Sequence, residues 1–349
     1  MNRIKVHLER KYSASYDIHI GRGILDRLAL ILSKNGWGSR YFIVTDAVVS
    51  QLHGDRVADV LGRTGLAVER LDLPAGETSK NIQTCVNVAE QLAQRGADRT
   101  SALIALGGGV VGDVTGFVAS IFMRGIPHVQ VPTTLLAQVD SSIGGKTGVD
   151  VPSAKNMLGT FCQPRAVFID IDFLETLPAR EFTNGLAEIV KYGMIEDPDL
   201  LEDLTSGMEA LDRRDKRFLE TIISRSCRIK KTIVEIDETE RGLRRILNFG
   251  HTVGHALEAE SSYALSHGES VALGMNAATV LSERLGYLSA EDREHMLSVI
   301  RHMGLPDRIP AGLDTEGIMA RLKRDKKKAG ESIHFVLLKR PGMPFVNGG

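Results

Sequence analysis

Three histidines fall close together in the second half of the chain, His251 and His255 in NFGHTVGH (248–255) and His267 in LSHGE (265–269). Imidazole nitrogens bind divalent metals, and Glu188 in GLAEIVKYG (185–193), Glu258 and Glu269 are carboxylates that could complete a site. The i,i+4 spacing places His251 and His255 on one helical face, so spacing alone nominates that pair, with His267 third. Two histidines and one glutamate leave coordination open for substrate oxygens, as in a catalytic zinc centre. Earlier in the chain Gly107, Gly109 and Gly112 satisfy G-x-G-x-x-G between an apolar run at 102–106 and a helix-like run at 115–123. Backbone N–H groups in such a turn can approach a pyrophosphate, and the helix N-terminus adds positive potential. The usual dinucleotide turn opens its domain and has an acidic ribose partner about 20 residues later, where this chain has HVQVP (128–132). Asp46 and Glu77, each following a strand-like run, are the alternative ribose acceptors.

The segment PTTLLAQVDSSIGGKT (132–147) crowds the hydroxyls of Thr133 and Thr134, the carboxylate of Asp140 and the ammonium of Lys146 around two glycines, with Lys155 and Asn156 following. A lysine among glycines and hydroxyls can bind phosphate as a point charge. The closing GKT does not make a P-loop, because the first glycine of that pattern is missing.

These groups need a scaffold. Short β-rich runs at 41–45, 68–73, 102–106, 128–131 and 167–170 alternate with helical patterns such as 82–94, whose apolar residues share one face. That alternation predicts an α/β domain. Beyond Pro178 the pattern becomes successive amphipathic helices, at 180–192, 216–235, 251–261, 268–286 and 290–303, with one late strand-like run at 334–338. A boundary near 171–178 follows, giving domains at 1–174 and 175–349. The closing 346–349 reads as a tail.

Lys plus Arg (43) and Asp plus Glu (44) nearly cancel, so anion recognition must be local and neither nucleic acid nor an anionic membrane is expected as partner. Cys85, Cys162 and Cys227 are widely spaced and form no C-x-x-C, which argues against a disulfide framework and for a reducing, cytoplasmic setting. The charged N-terminus lacks the apolar core of a signal peptide, and the longest apolar stretch, 101–122, is broken by Asp113 and several glycines. A soluble protein is expected.

Taken together, GETSK, LGGGVVGD, FMRGI, VPTTLLAQVDSSIGGKTGV, KNMLG, GLAEIVKYG, DETERGLRRILNFGHTVGHALE, HGESVALGM and the late RDKK give the chain a resemblance to the 3-dehydroquinate synthases, over nearly its whole length. The resemblance implies an N-terminal Rossmann-like NAD-binding α/β domain and an all-α C-terminal metal-binding domain, in a homodimer with its active site between domains. It implies Zn²⁺, with Co²⁺ as the alternative, on Glu188, His251 and His267, and it reassigns His255 to the substrate phosphate. NAD would be held by Asp46, Glu77, Lys80, Gly109, Val110, Val111, Gly112, Asp113, Thr133, Thr134, Lys146, Lys155, Phe173, Leu174, Glu175 and Thr176. Asp140, Lys146, Lys155, Asn156, Lys191, Lys230, Arg244, Asn248 and either Lys326 or Lys327 would surround an acidic, phosphorylated sugar. Arg124 would reach into the neighbouring subunit's site. The implied reaction converts 3-deoxy-D-arabino-heptulosonate 7-phosphate to 3-dehydroquinate and phosphate, with NAD oxidising one hydroxyl and later returning the hydride. A sibling sugar phosphate cyclase, a metal-dependent polyol dehydrogenase and a nucleotide-binding regulatory protein are the competing readings.

Overall fold

The computed structural model describes residues 14–152, 154–328 and 333–348. Six parallel strands form the main sheet: β1 (Asp17–Gly21), β2 (Tyr41–Asp46), β3 (Val68–Leu73), β4 (Ala102–Gly107), β5 (His128–Pro132) and β8 (Ala166–Asp170), in the order β1-β8-β5-β4-β2-β3. Strands β4, β5 and β8 are buried along their whole length, which explains why they read as unbroken apolar runs instead of alternating ones.

Helices cover both faces. Leu25, Leu28 and Leu32 of α1 (Leu25–Asn35) pack with Val57 and Leu61 of α3 (Asp55–Gly62) on one side, just beyond the short α2 (Ala47–Val49). On the other, Cys85, Val88 and Leu92 of α4 (Ile82–Gln94) join Val114, Phe117 and Val118 of α5 (Gly109–Ile121). Because α5 begins at Gly109, two of the glycines expected in a turn lie inside the helix, and the helix starts earlier than the 115–123 run suggested. Packing is tight at Gly112, where a Cβ would stand 2.9 Å from the Gln130 carboxamide on β5.

A hairpin that hydropathy did not reveal, β6 (Lys146–Val151) and β7 (Ala154–Phe161), leaves the sheet and carries Lys146, Lys155 and Asn156. The second half is helical: α6 (Ala179–Ile195), α7 (Pro198–Ser206), α8 (Met208–Asp212), α9 (Lys216–Ile236), α10 (His251–Glu260), α11 (His267–Arg284), α12 (Ala290–His302) and α13 (Thr315–Lys328). The expected tail is instead β10 (Pro344–Gly348), antiparallel to β9 (His334–Leu338), with Val346 opposite Val336. Helix α6 is the centre of this half, every residue from Asn184 to Ile195 being buried in one run that includes Glu188 and Lys191. Among the described residues no helix is long and apolar enough to cross a membrane.

Candidate active site and metal centre

Glu188 is completely buried on α6, and an isolated carboxylate there would be costly to ionise. It is not isolated. Its Oε1 lies 3.3 Å from His267 Nε2 and 3.6 Å from His251 Nε2, and the ammonium of Lys191, one turn along the same helix, contacts Oε2. Burial opposes the charge, but Lys191 and the two imidazoles hold the Glu188 carboxyl down to about 2. Burial and Lys191 together depress His251, whereas the Glu188 contact raises His267 despite its burial.

Two features aim these groups. His251 Nδ1 donates to Phe249 O at 3.2 Å, which fixes the tautomer with the Nε2 lone pair facing the carboxylate. Ser266 caps α11 in a reciprocal capping box with Glu269, so Glu269 is a structural carboxylate of the helix start, and His267 is the first residue of that helix. One donor atom from each of Glu188, His251 and His267 lies within 4.8 Å of the others. His255 shares the neighbourhood, with its ring centroid 5.3 Å from that of His251, but it groups with Glu258 and His267 and not with Glu188. The i,i+4 histidine pair is therefore not the one that closes on the buried glutamate. A buried carboxylate facing two neutral-capable imidazole nitrogens fits a divalent cation.

Cations and their partners line the space above this centre. Lys230 Nζ donates to both Asp140 Oδ1 and Asp140 O at 2.7 Å, and Tyr192 Oη donates to the same Oδ1 at 2.6 Å. Burial would raise Asp140, yet Lys230 and Lys191 hold it far below the carboxylate range. Lys146 contacts the Glu240 carboxylate, and Asn248 Nδ2 donates to Glu240 at 2.6 Å. Desolvation, then the cationic Arg244 and Lys230, push the Lys146 ammonium down to about 8, against the pull of Asp140. Arg244 is 2% exposed, and its guanidinium donates to the carbonyls of Gly144 and Glu238. Lys155 bridges Glu77 at 2.9 Å and Glu258 at 2.8 Å, tying a loop of the sheet to α10. Asn156, on β7, has φ +52° and is exposed. The side chains of Lys326 and Lys327 lie outside the described residues.

The candidate dinucleotide residues gather at the carboxyl ends of the parallel strands, where open sheets of this kind bind ligands. The chain leaves β2 toward β3 and returns on the other side at β4, so β2 and β4 flank the point where the strand order reverses. At that point Gly108 begins α5 with no side-chain cap, leaving the first-turn N–H groups available to an anion. A Cβ at Gly108 would meet the Thr134 side chain at 3.0 Å, which keeps the approach narrow. The buried Thr133 hydroxyl, past β5, has no hydrogen-bond partner among the described residues. Lys80 pairs with Asp113 at 2.5 Å beside the same helix start. Val110 and Val111 follow in the first turn of α5, and Phe173, Leu174, Glu175 and Thr176 form the turn after β8. Asp46, at the end of β2, accepts from Val48 N and Val49 N through Oδ1 as the cap of α2.

The family models described as 3-dehydroquinate synthase N-terminal and C-terminal match residues 70–184 and 185–328. The chain belongs to the 3-dehydroquinate synthase family. Named 3-dehydroquinate synthases from Thermodesulfovibrio yellowstonii and Symbiobacterium thermophilum are 43% and 44% identical to it, covering 99% and 94% of this chain and 96% and 92% of theirs. Among solved structures it is similar to a 2-epi-5-epi-valiolone synthase from Streptomyces hygroscopicus with NAD⁺ and Zn²⁺ bound, at TM-score 0.90 and 29% identity over 99% of this chain and 95% of that one. A 2-deoxy-scyllo-inosose synthase complexed with carbaglucose-6-phosphate, NAD⁺ and Co²⁺ matches at TM-score 0.86 and 29% identity, covering 94% and 90% of the two chains. A probable glycerol dehydrogenase from Sinorhizobium meliloti, at TM-score 0.65 and 18% identity over 90% and 89%, shares the fold.

For a 3-dehydroquinate synthase family member, two residues of the site escaped sequence reasoning. Glu240 and Tyr192 lie within DETERGLRR and GLAEIVKYG, yet their types and spacing carry no signal of their own. Glu240 has φ +59°, and no sequence pattern marks a left-handed glutamate.

Proposed function

We propose that this chain converts 3-deoxy-D-arabino-heptulosonate 7-phosphate to 3-dehydroquinate and phosphate, the 3-dehydroquinate synthase step of the shikimate pathway toward aromatic amino acids. Relatedness above 40% across nearly the full length supports the substrate. The observation that carries the chemistry is the buried Glu188 facing His251 and His267 beneath a wall of cations.

In this reading Glu188, His251 and His267 would hold Zn²⁺ or Co²⁺, which would supply acidification of a substrate hydroxyl. NAD, held at the α5 N-terminus and the strand ends, supplies a hydride acceptor and donor that is regenerated in each cycle. The chain itself supplies positioning and charge. Lys146, Lys191, Lys230 and Arg244 offset the substrate's negative charge, with His255, Lys155, Asn156 and Asn248 on the phosphate side. Lys230 and Arg244 serve this role while anchored, the first to Asp140 and the second to two backbone carbonyls, so neither must be ordered when the anion arrives. Asp140 keeps Lys230 charged in a buried setting, and Tyr192 fixes Asp140 from behind. Lys80 is kept beside the helix start by Asp113.

We further place the division between an NAD-binding domain and a helical domain at 174/175, just after the last sheet strand and before α6. The working unit is a homodimer, with Arg124 entering the partner's site. Arg124 is exposed with φ +71°, next to exposed Ile121 and Met123, while Met157, Leu158 and Phe161 are exposed on β7, which packs against α5. Such an apolar surface suits burial against a second copy. A cytoplasmic location accords with three free cysteines, Cys85, Cys162 and Cys227.

A sibling cyclase lacking the carboxylate on its substrate is the second reading, favoured by the two structural neighbours. Incubation with the heptulosonate phosphate decides between them. Release of inorganic phosphate that stops with a chelator, without accumulation of NADH, is the expected result. No release from that substrate, with turnover of an uncarboxylated sugar phosphate, would establish the sibling reading, and stoichiometric NADH would establish a dehydrogenase.

A further inference from the structure

His53 belongs to none of the groups above, yet it is buried, 8% exposed, on the turn Ser50–Gly54 between α2 and α3. Its Nε2 lies 2.8 Å from Thr176 Oγ1, and its ring meets Phe173 edge-on at 4.9 Å between centroids. The direction of the hydrogen bond follows from a count of protons. Thr176 Oγ1 has a single proton, and both its 3.2 Å contact to Phe173 O and the His53 contact are made at once when His53 donates through Nε2–H. Burial, with Arg56 nearby, lowers the His53 pKa, in keeping with a neutral ring.

The contact spans the sheet. His53 follows β2 and Thr176 follows β8, and the order β8-β5-β4-β2 separates those strands by three spacings, roughly 14 Å at the usual strand separation. His53 therefore reaches over the carboxyl ends of β4 and β5, on the face covered by α1 and α3. It closes that side of the crevice which α5 opens from the other face. The turn it grips is also held from the helical half, where Arg214 donates to the carbonyls of Leu174 and Glu175 and Lys216 pairs with Asp172 at 2.7 Å. Thr176 itself is exposed, so the turn has a buried side fixed by His53 and an open side.

We propose that His53 is a positioning residue for the dinucleotide, holding the turn of Phe173 and Thr176 in its binding conformation without touching the cofactor. The inference rests on the reading that this turn contacts NAD. A preformed turn avoids an ordering cost at binding, so loss of the tether weakens affinity and leaves the chemistry intact.

The test is NAD binding by calorimetry to the zinc-loaded protein. Wild type binds. His53→Ala raises the NAD dissociation constant about tenfold, the scale of one lost hydrogen bond and its ordering. His53→Gln, which keeps an N–H donor, returns it to within about threefold of wild type. Zinc content and kcat at saturating NAD stay at the wild-type level in both. In a double-mutant cycle, Thr176→Val costs less affinity when added to His53→Ala than it does alone, because their shared contact is already gone. Wild-type affinity in His53→Ala overturns the proposal, as does full additivity with Thr176→Val. Absence of NAD binding by wild type would instead remove the reading beneath it. A His53→Ala chain that fails to fold leaves His53→Gln and Thr176→Val to decide, and equal, large losses of kcat in those two would also overturn it.

Discussion

Gly274 of α11 lies against the carbonyl of Gly250, the residue that starts α10, so closely that a Cβ on Gly274 would collide with that oxygen. Gly254, one turn on, meets Ser270 O in the same way at 2.9 Å. The two helices thus touch backbone to backbone, and this crossing brings His251, at the start of α10, and His267, at the start of α11, onto one carboxylate. Gly250 has φ +81°, a conformation that L side chains avoid, so the entry into α10 depends on glycine as well.

Gly274→Ala should therefore act as a metal-site mutation although the residue is no ligand. Overpacking at this crossing is expected to cost about 1 to 3 kcal/mol of stability and to push the helices apart. Zinc stoichiometry by atomic absorption should fall well below that of wild type at equal total zinc. Full zinc content in a folded Gly274→Ala protein would show that the crossing does not set the ligand geometry.

His267→Ala should abolish bound metal and turnover while leaving NAD affinity within about threefold of wild type, since it lies outside the residues assigned to NAD. The check is metal analysis beside NAD calorimetry on the same sample. Retained stoichiometric zinc would remove His267 from the ligand set.

Mixing an Arg124→Ala chain with a chain inactivated at Glu188 should restore about a quarter of wild-type activity, because random pairing makes half of the dimers hybrids with one complete site each. Activity is measured after verified subunit exchange. No recovery under those conditions would place Arg124 outside the partner's site.

His128 gives a pH prediction for stability. It is 1% exposed on β5, and burial, then Arg165, push it down to about 4. A base whose folded pKa is depressed leaves the unfolded chain binding more protons, so stability is full above the unfolded value near 6.5 and is lost as pH falls toward 4. Wild type should lose roughly 2 kcal/mol between pH 7 and about pH 5 from this residue, and His128→Gln should lose correspondingly less. Urea midpoints at the two pH values measure the difference. Parallel losses in the two proteins would assign the acid sensitivity to other groups.

Much of this was legible without coordinates. The four central strands, β2, β4, β5 and β8, announced themselves because burial on both faces forces continuous apolar runs, and α4, α9, α10, α11 and α12 because each keeps an apolar face. The residue types of the site, histidines, one glutamate and a set of lysines among glycines, were equally plain. The 146–161 hairpin and β10 were not, because their residues are exposed or irregular in hydropathy and acquire regular structure only by pairing. The tertiary structure also decided which polar groups meet. Spacing favoured His251 with His255, since sequence sees neighbours along one helix, whereas the close crossing of α10 and α11 directs His251 and His267 to Glu188 on a third helix. Glu240 acquired Lys146 from the hairpin, and His53 found Thr176 across the sheet. None of these pairings is encoded in local spacing: each depends on distances fixed only when separate elements pack.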